Sequence, residues 1–85
     1  MFMYVYVVIE IQTSADGTVG NFVWSFGDTS KTDEENRNGA FSKWHSVLSS
    51  AAVSDLPVHS CVIIRNDGQQ IASMSYKHGG QNESN

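Results

Sequence analysis

"VVIEIQTSADGTVGNFVWSF", residues 7–26, decides the fold. Residues 3–12 are apolar and β-branched, and Ile9, Glu10, Ile11 and Gln12 alternate as a strand does. Asp16-Gly17 supplies the residue pair that a tight hairpin turn prefers, because its central positions need positive φ. "NFVWSF" then alternates Phe22, Trp24 and Phe26 with smaller residues. If Asp16 and Gly17 are the two loop residues, Ile11 stands opposite Phe22, Ile9 opposite Trp24 and Val7 opposite Phe26. Turn chemistry and hydrophobic phase then agree on a register.

Downstream, "GDTSKTDEEN" leads into a helix, with Thr32 as N-cap and Glu35 completing a capping box. Asp33, Glu34 and Glu35 lie where the helix dipole favours negative charge. Ala40, Phe41, Trp44, Val47, Leu48, Ala51 and Ala52 recur at steps of three and four and form one apolar stripe. Ser42, Ser46, Ser49 and Ser50 fall on the opposite side. Gly39 is a poor helix-interior residue, and Pro57 requires the helix to stop near Val53 or Ser54. A second hairpin follows, "VHSCVIIR", Asp67-Gly68, "QIASMSYKH". The same pairing logic places Ile64 opposite Ile71, Ile63 opposite Ala72, Cys61 opposite Met74 and His59 opposite Tyr76.

The expected architecture is therefore α+β, in the order β-β-α-β-β: a four-stranded, largely antiparallel sheet with one helix packed on one face. Residues 1–78 form a single domain, and the polar, glycine-rich residues 79–85 are expected to be disordered. Strand order stays open, since two hairpins joined by a helix can be set side by side in more than one way.

An 85-residue chain has one modest core, and small domains of this kind draw support from disulfides, metals or oligomerisation. Cys61 is the only cysteine, so no internal disulfide forms, and the free thiol suits a reducing cytoplasm. The apolar opening is too short for a membrane helix and lacks the flanks of a signal peptide. Five Lys and Arg against nine Asp and Glu give a net charge of −4. The basic residues, Lys31, Arg37, Lys43, Arg65 and Lys77, are scattered, which argues against nucleic acid and against an anionic membrane surface.

One helix covers only one face of a sheet, yet the apolar residues occupy both. In the register above, Val7, Ile9, Ile11, Phe22, Trp24 and Phe26 meet the helix, with Cys61, Ile63, Ala72, Met74 and Tyr76 from the second hairpin. Tyr4, Tyr6, Val8, Val23, Val58, Val62, Ile64 and Ile71 then form an uncovered face, which monomers rarely leave bare. A homodimer with an isologous contact is the expected solution.

Candidate chemistry is thin. His59 and Cys61 share one strand face, and His45 and His78 are the other histidines. A thiolate nucleophile needs a base in reach and an electropositive setting, whereas Cys61 sits among core-type neighbours. No pair shows the spacing of a metal site, and neither "DGTVG" nor "HGG" has the strand-to-helix setting of a phosphate loop. Glu10 is placed away from the core. No catalytic residue, metal or cofactor is expected.

The run "WHSVLSSAAVSDLPVHSCVIIRNDGQQI", preceded by "YVVIEIQTSADG", is similar to small bacterial proteins of about this length from gut anaerobes. They share a helix with an H-x-x-L-x-x-A-A pattern, then P-x-H and an Asp-Gly turn. The resemblance implies a compact stand-alone domain and carries no activity with it. The expected function is that of a non-enzymatic, homodimeric binding module. The alternative is a small acidic inhibitor or regulator of a larger protein, from a mobile element.

Overall fold

A computed structural model describes residues 3–78. Its elements are β1 (Tyr6–Thr13), β2 (Val19–Phe26), α1 (Asp33–Ala52), β3 (Val58–Arg65) and β4 (Gln70–Lys77). The strands form one sheet in the order β2-β1-β3-β4, antiparallel at every seam. This is the α+β, β-β-α-β-β fold that the sequence leads one to expect. The expected disorder of residues 79–85 concerns a segment outside the described residues.

β1 and β3 take the centre of the sheet, each paired along both of its edges. β2 and β4 are the edges. Tyr6, Val8, Cys61 and Ile63 project from the sheet onto Ala40 and Val47 of the helix, and these six form the buried core. Trp24, Phe26, Phe41, Trp44, Leu48, Ile71 and Ala72 pack around them.

The helix begins as its sequence requires. Thr32 Oγ1 accepts from Glu35 N–H at 3.1 Å, and the Glu35 carboxylate accepts from Thr32 N–H at 2.9 Å. Those two bonds satisfy donors that the first turn would otherwise leave open. Val53 is the C-cap, in line with the limit set by Pro57. The expected stripe holds at Ala40, Val47 and Ala51, which are buried, whereas Ala52 is exposed. Gly39 has a packing reason: a Cβ there would lie 3.1 Å from the Phe26 ring, so the bare backbone lets that ring lie against the helix.

The first hairpin departs from the expected register. Tyr6 pairs with Phe26, Val8 with Trp24 and Glu10 with Phe22, while Ile9 pairs with Val23 and Ile11 with Asn21. The turn is the cause. Ser14 N–H bonds to Thr18 O at 2.8 Å and Gly17 N–H to Ser14 O at 2.9 Å, so the loop has three residues, Ala15, Asp16 and Gly17. Gly17 takes φ 89° in the last loop position, the left-handed residue of a three-residue hairpin. Asp16 Oδ1 accepts from Thr18 N–H at 2.9 Å and fixes the loop. A one-residue difference in register moves every side chain of a strand to the other face. Tyr6, Val8 and Glu10 therefore face the helix, and Val7, Ile9 and Ile11 face away.

The second hairpin uses the same loop, Asn66, Asp67 and Gly68, with Gly68 at φ 92°. The Arg65 guanidinium clasps Asp67 at 2.6 and 3.0 Å and holds its carboxyl below the ordinary value. Ile64 consequently pairs with Gln70 and not with Ile71, but an irregularity between Ile63 and Ile64 restores the expected pairs His59–Tyr76, Cys61–Met74 and Ile63–Ala72. That bulge absorbs the extra residue.

Candidate functional site

Adjacent strands place four polar side chains on the helix-facing side of the β1–β3 seam. Glu10 stands directly opposite Cys61, and Gln12 directly opposite His59. Across the diagonal, His59 Nε2 lies 2.5 Å from Glu10 Oε2, and Gln12 Nε2 donates to the same oxygen at 2.9 Å. Glu10 and His59 are 9% and 4% exposed, so the contact is buried. With a carboxylate as acceptor, His59 Nε2 is the donor, and the pair is ionic when the imidazole carries a second proton. His59 Nδ1 is buried with no hydrogen-bond partner among the described residues.

Glu10 corrects an expectation, since its sequence phase put it on the outside. The three-residue turn rotates it inward, where His59 and Gln12 supply the partners that a buried carboxylate needs. Cys61 beside it is buried, and burial together with the facing Glu10 carboxylate pushes its thiol up to about 11. A thiol so placed stays protonated at neutral pH, the opposite of an activated nucleophile.

The other histidines go elsewhere. His45 is exposed on the helix flank, 5.1 Å from the Trp44 ring centre and 6.3 Å from that of Phe41. His78 donates from Nε2 to Ala51 O at 2.8 Å and stacks on Tyr76, tying the end of β4 to the end of α1. Among the described residues, no group of three or more His, Cys, Asp or Glu side chains is placed to hold a metal ion. The Glu10–Gln12–His59 cluster pins β1 to β3 in one register, because a one-residue slip would carry Glu10 to the far face.

Two further polar contacts escaped the sequence reading. Asn36, buried in the first turns of α1, accepts from Asp28 N–H at 3.0 Å and donates to Asp28 O at 3.1 Å. Tyr6 donates from its hydroxyl to Asp33 Oδ1 at 2.9 Å, and burial followed by that carboxylate raises the phenol above its ordinary value. The first ties the β2–α1 connection to the helix, and the second ties the start of α1 to β1. Asp28 and Asn36 are 8 residues apart and Tyr6 and Asp33 27, both beyond the reach of a turn or capping motif.

The second candidate is the sheet face that the helix leaves uncovered. Of the eight residues expected there, Val23, Val58, Val62 and Ile64 are on it by register. Tyr6 and Val8 are corrected, being 2% and 0% exposed in the core beneath the helix. Tyr4 and Ile71 are corrected too, since both pack against that core, Tyr4 with the Arg65 guanidinium 4.0 Å above its ring. In their place stand Val7, Ile9 and Ile11. Ile9 pairs across to Val23 on one side and Val62 on the other, and Val7 to Ile64, which makes a continuous apolar band. Ser25, Ser60, Ser73 and Ser75 border it. A shallow depression of about 330 Å³ is centred there, its walls including Ile9, Ile11, Ser60 and Val62. By register, Lys77 at one corner is the only charged side chain of β1–β4 on this side.

Among the described residues, no helix is long and apolar enough to cross a membrane. Comparison with known proteins returns no matching family model, no matching curated protein and no matching solved structure.

Proposed function

We propose that this protein is a non-enzymatic binding module that works as a homodimer, with the uncovered sheet face as the contact between copies. The observation that carries the reading is the band Val7, Ile9, Ile11, Val23, Val62 and Ile64, apolar across three strands and free of acidic residues. In a chain of net charge −4, two such faces meet without like-charge repulsion, and each removes apolar surface of the other from water. A contact of this kind is isologous, so it closes at two copies.

Chemistry has less support. The Cys61 thiol is buried and held protonated, and the carboxylate nearest His59 is already bonded to it. The lone reduced cysteine favours a cytoplasmic setting, and the resemblance to small bacterial proteins is in keeping with it.

The test is a charge placed in the middle of the band. Ile9→Lys should leave the far-UV circular dichroism unchanged and convert a dimer to a monomer in light scattering. A folded Ile9→Lys protein that remains dimeric at micromolar concentration would remove this face from the contact. A wild-type monomer would instead favour the acidic inhibitor or regulator, with the face open to a larger protein.

A further inference from the structure

We infer that β1 has a second register, one residue along the same ladder, and that the buried Glu10–His59 contact selects the observed one. The inference concerns the single chain and stands whatever covers the outer face.

Register is weakly specified in a strand whose two faces suit the core equally. β1 is such a strand. Tyr6 and Val8 are buried beneath the helix, while Val7, Ile9 and Ile11 lie half-buried on the far face. Its second half runs against the usual apolar-in, polar-out alternation, since Glu10 and Gln12 point to the helix side and Ile9 and Ile11 away from it.

A slide of β1 by one site reverses this. Ile9 then takes the site of Val8, opposite Trp24 and Ile63, and Ile11 takes that of Glu10, opposite Phe22 and Cys61. Val7 takes the site of Tyr6, opposite Phe26. The loop accommodates the move: Ala15 enters the ladder opposite Thr18 and leaves Asp16-Gly17 as a two-residue turn, a role that this pair suits. The pairing of β3 with β4 is untouched. On the outer face, Glu10 arrives at the site of Ile9, between Val23 and Val62. The register therefore decides whether that face is an apolar band or carries a carboxylate at its centre.

Three sets of contacts oppose the slide. Asn66 N–H donates to Val5 O at 2.9 Å, and Asn66 Nδ2 donates to Met3 O at 3.0 Å. The Tyr6 hydroxyl donates to Asp33 at 2.9 Å. The third set is Glu10 with His59 and Gln12, and it is the one that offsets the reversed pattern. Without its partners a buried carboxylate is costly, and the slide is the route by which Glu10 regains water. Two packings of one chain separated by a small free-energy gap make a bistable element.

The experiment is NMR on the full chain, reading the cross-strand contacts of Ile9. In the wild type these run to Val23 and Val62. His59→Leu should raise the ratio of shifted to observed register by at least about a hundredfold, the loss of a buried pair, so that a second set of β1 signals becomes visible with Ile9 against Trp24 and Ile63. A folded His59→Leu protein with one set of β1 signals and Ile9 still against Val23 and Val62 would overturn the inference. If His59→Leu does not fold, Val8→Lys decides. Val8 is fully buried in the observed register and faces outward in the shifted one, so Val8→Lys should fold with Ile9 against Trp24 and Ile63. An unfolded Val8→Lys, or a folded one with Ile9 against Val23 and Val62, would overturn the second register.

Discussion

Replacing His59 with Leu isolates the energetics of the buried Glu10–His59 pair. The substitution leaves the Glu10 carboxylate, 9% exposed, with only the Gln12 amide at 2.9 Å. Breaking a buried pair by removing one partner costs about 3–5 kcal/mol, because the remaining charge keeps its desolvation penalty. An 85-residue domain has roughly 4–13 kcal/mol of stability in total, so His59→Leu consumes a large share of it. Glu10→Leu costs less, since the residue left behind can be a neutral imidazole. The double variant, Glu10→Leu with His59→Leu, should return to within about 1 kcal/mol of wild type, as apolar replacements of buried pairs commonly do. The assay is urea unfolding of all four proteins at one fixed protein concentration, followed by circular dichroism. Fixing the concentration matters because self-association contributes to apparent stability. Losses that simply add in the double variant would mean the two residues do not interact in the folded protein, and the register lock assigned to them would fail.

Four further outcomes follow from local geometry. Cys61 should resist a thiol reagent at pH 8 in the native state and react within the unfolding transition in urea; prompt native reaction would contradict its burial. Because the folded thiol is raised from 9.0 to about 11, the stability it contributes is whole below pH 9 and is lost as pH rises toward 11, up to about 3 kcal/mol by linkage, which unfolding curves at pH 8 and pH 11 would show. Gly17→Ala should cost about 1–2 kcal/mol from backbone strain alone, since φ is 89° and a Cβ there meets nothing within 4 Å; an unchanged urea midpoint would contradict the three-residue loop. Thr32→Ala should cost about 1 kcal/mol through the lost cap, and Thr32→Ser should restore most of it in the same assay.

Local signals in the sequence were the dependable ones. Thr32 and Glu35 announce the helix start, Pro57 limits its end, and the two Asp-Gly pairs mark both turns, because each of these acts within a few residues of itself. Register was not legible in the same way. Asp-Gly serves a two-residue loop and the end of a three-residue loop equally well, and the choice between them inverts β1. Hydrophobic phase could not arbitrate, since Tyr6 and Val8 are as apolar as Val7 and Ile9. The second hairpin kept most of its expected pairs only because its bulge at Ile63 and Ile64 offsets the same extra loop residue. Glu10 was placed on the wrong side for this reason, and with it the Glu10–His59 contact stayed hidden. The uncovered face survived in kind, apolar and wide, while half of its expected members exchanged places with the core.

The most direct test of the account is light scattering of the wild-type chain across a dilution series from high to sub-micromolar concentration. Self-association through the sheet predicts a plateau at twice the 9.3 kDa chain mass, falling toward the monomer only at the lowest concentrations. A constant mass of one chain throughout would contradict it.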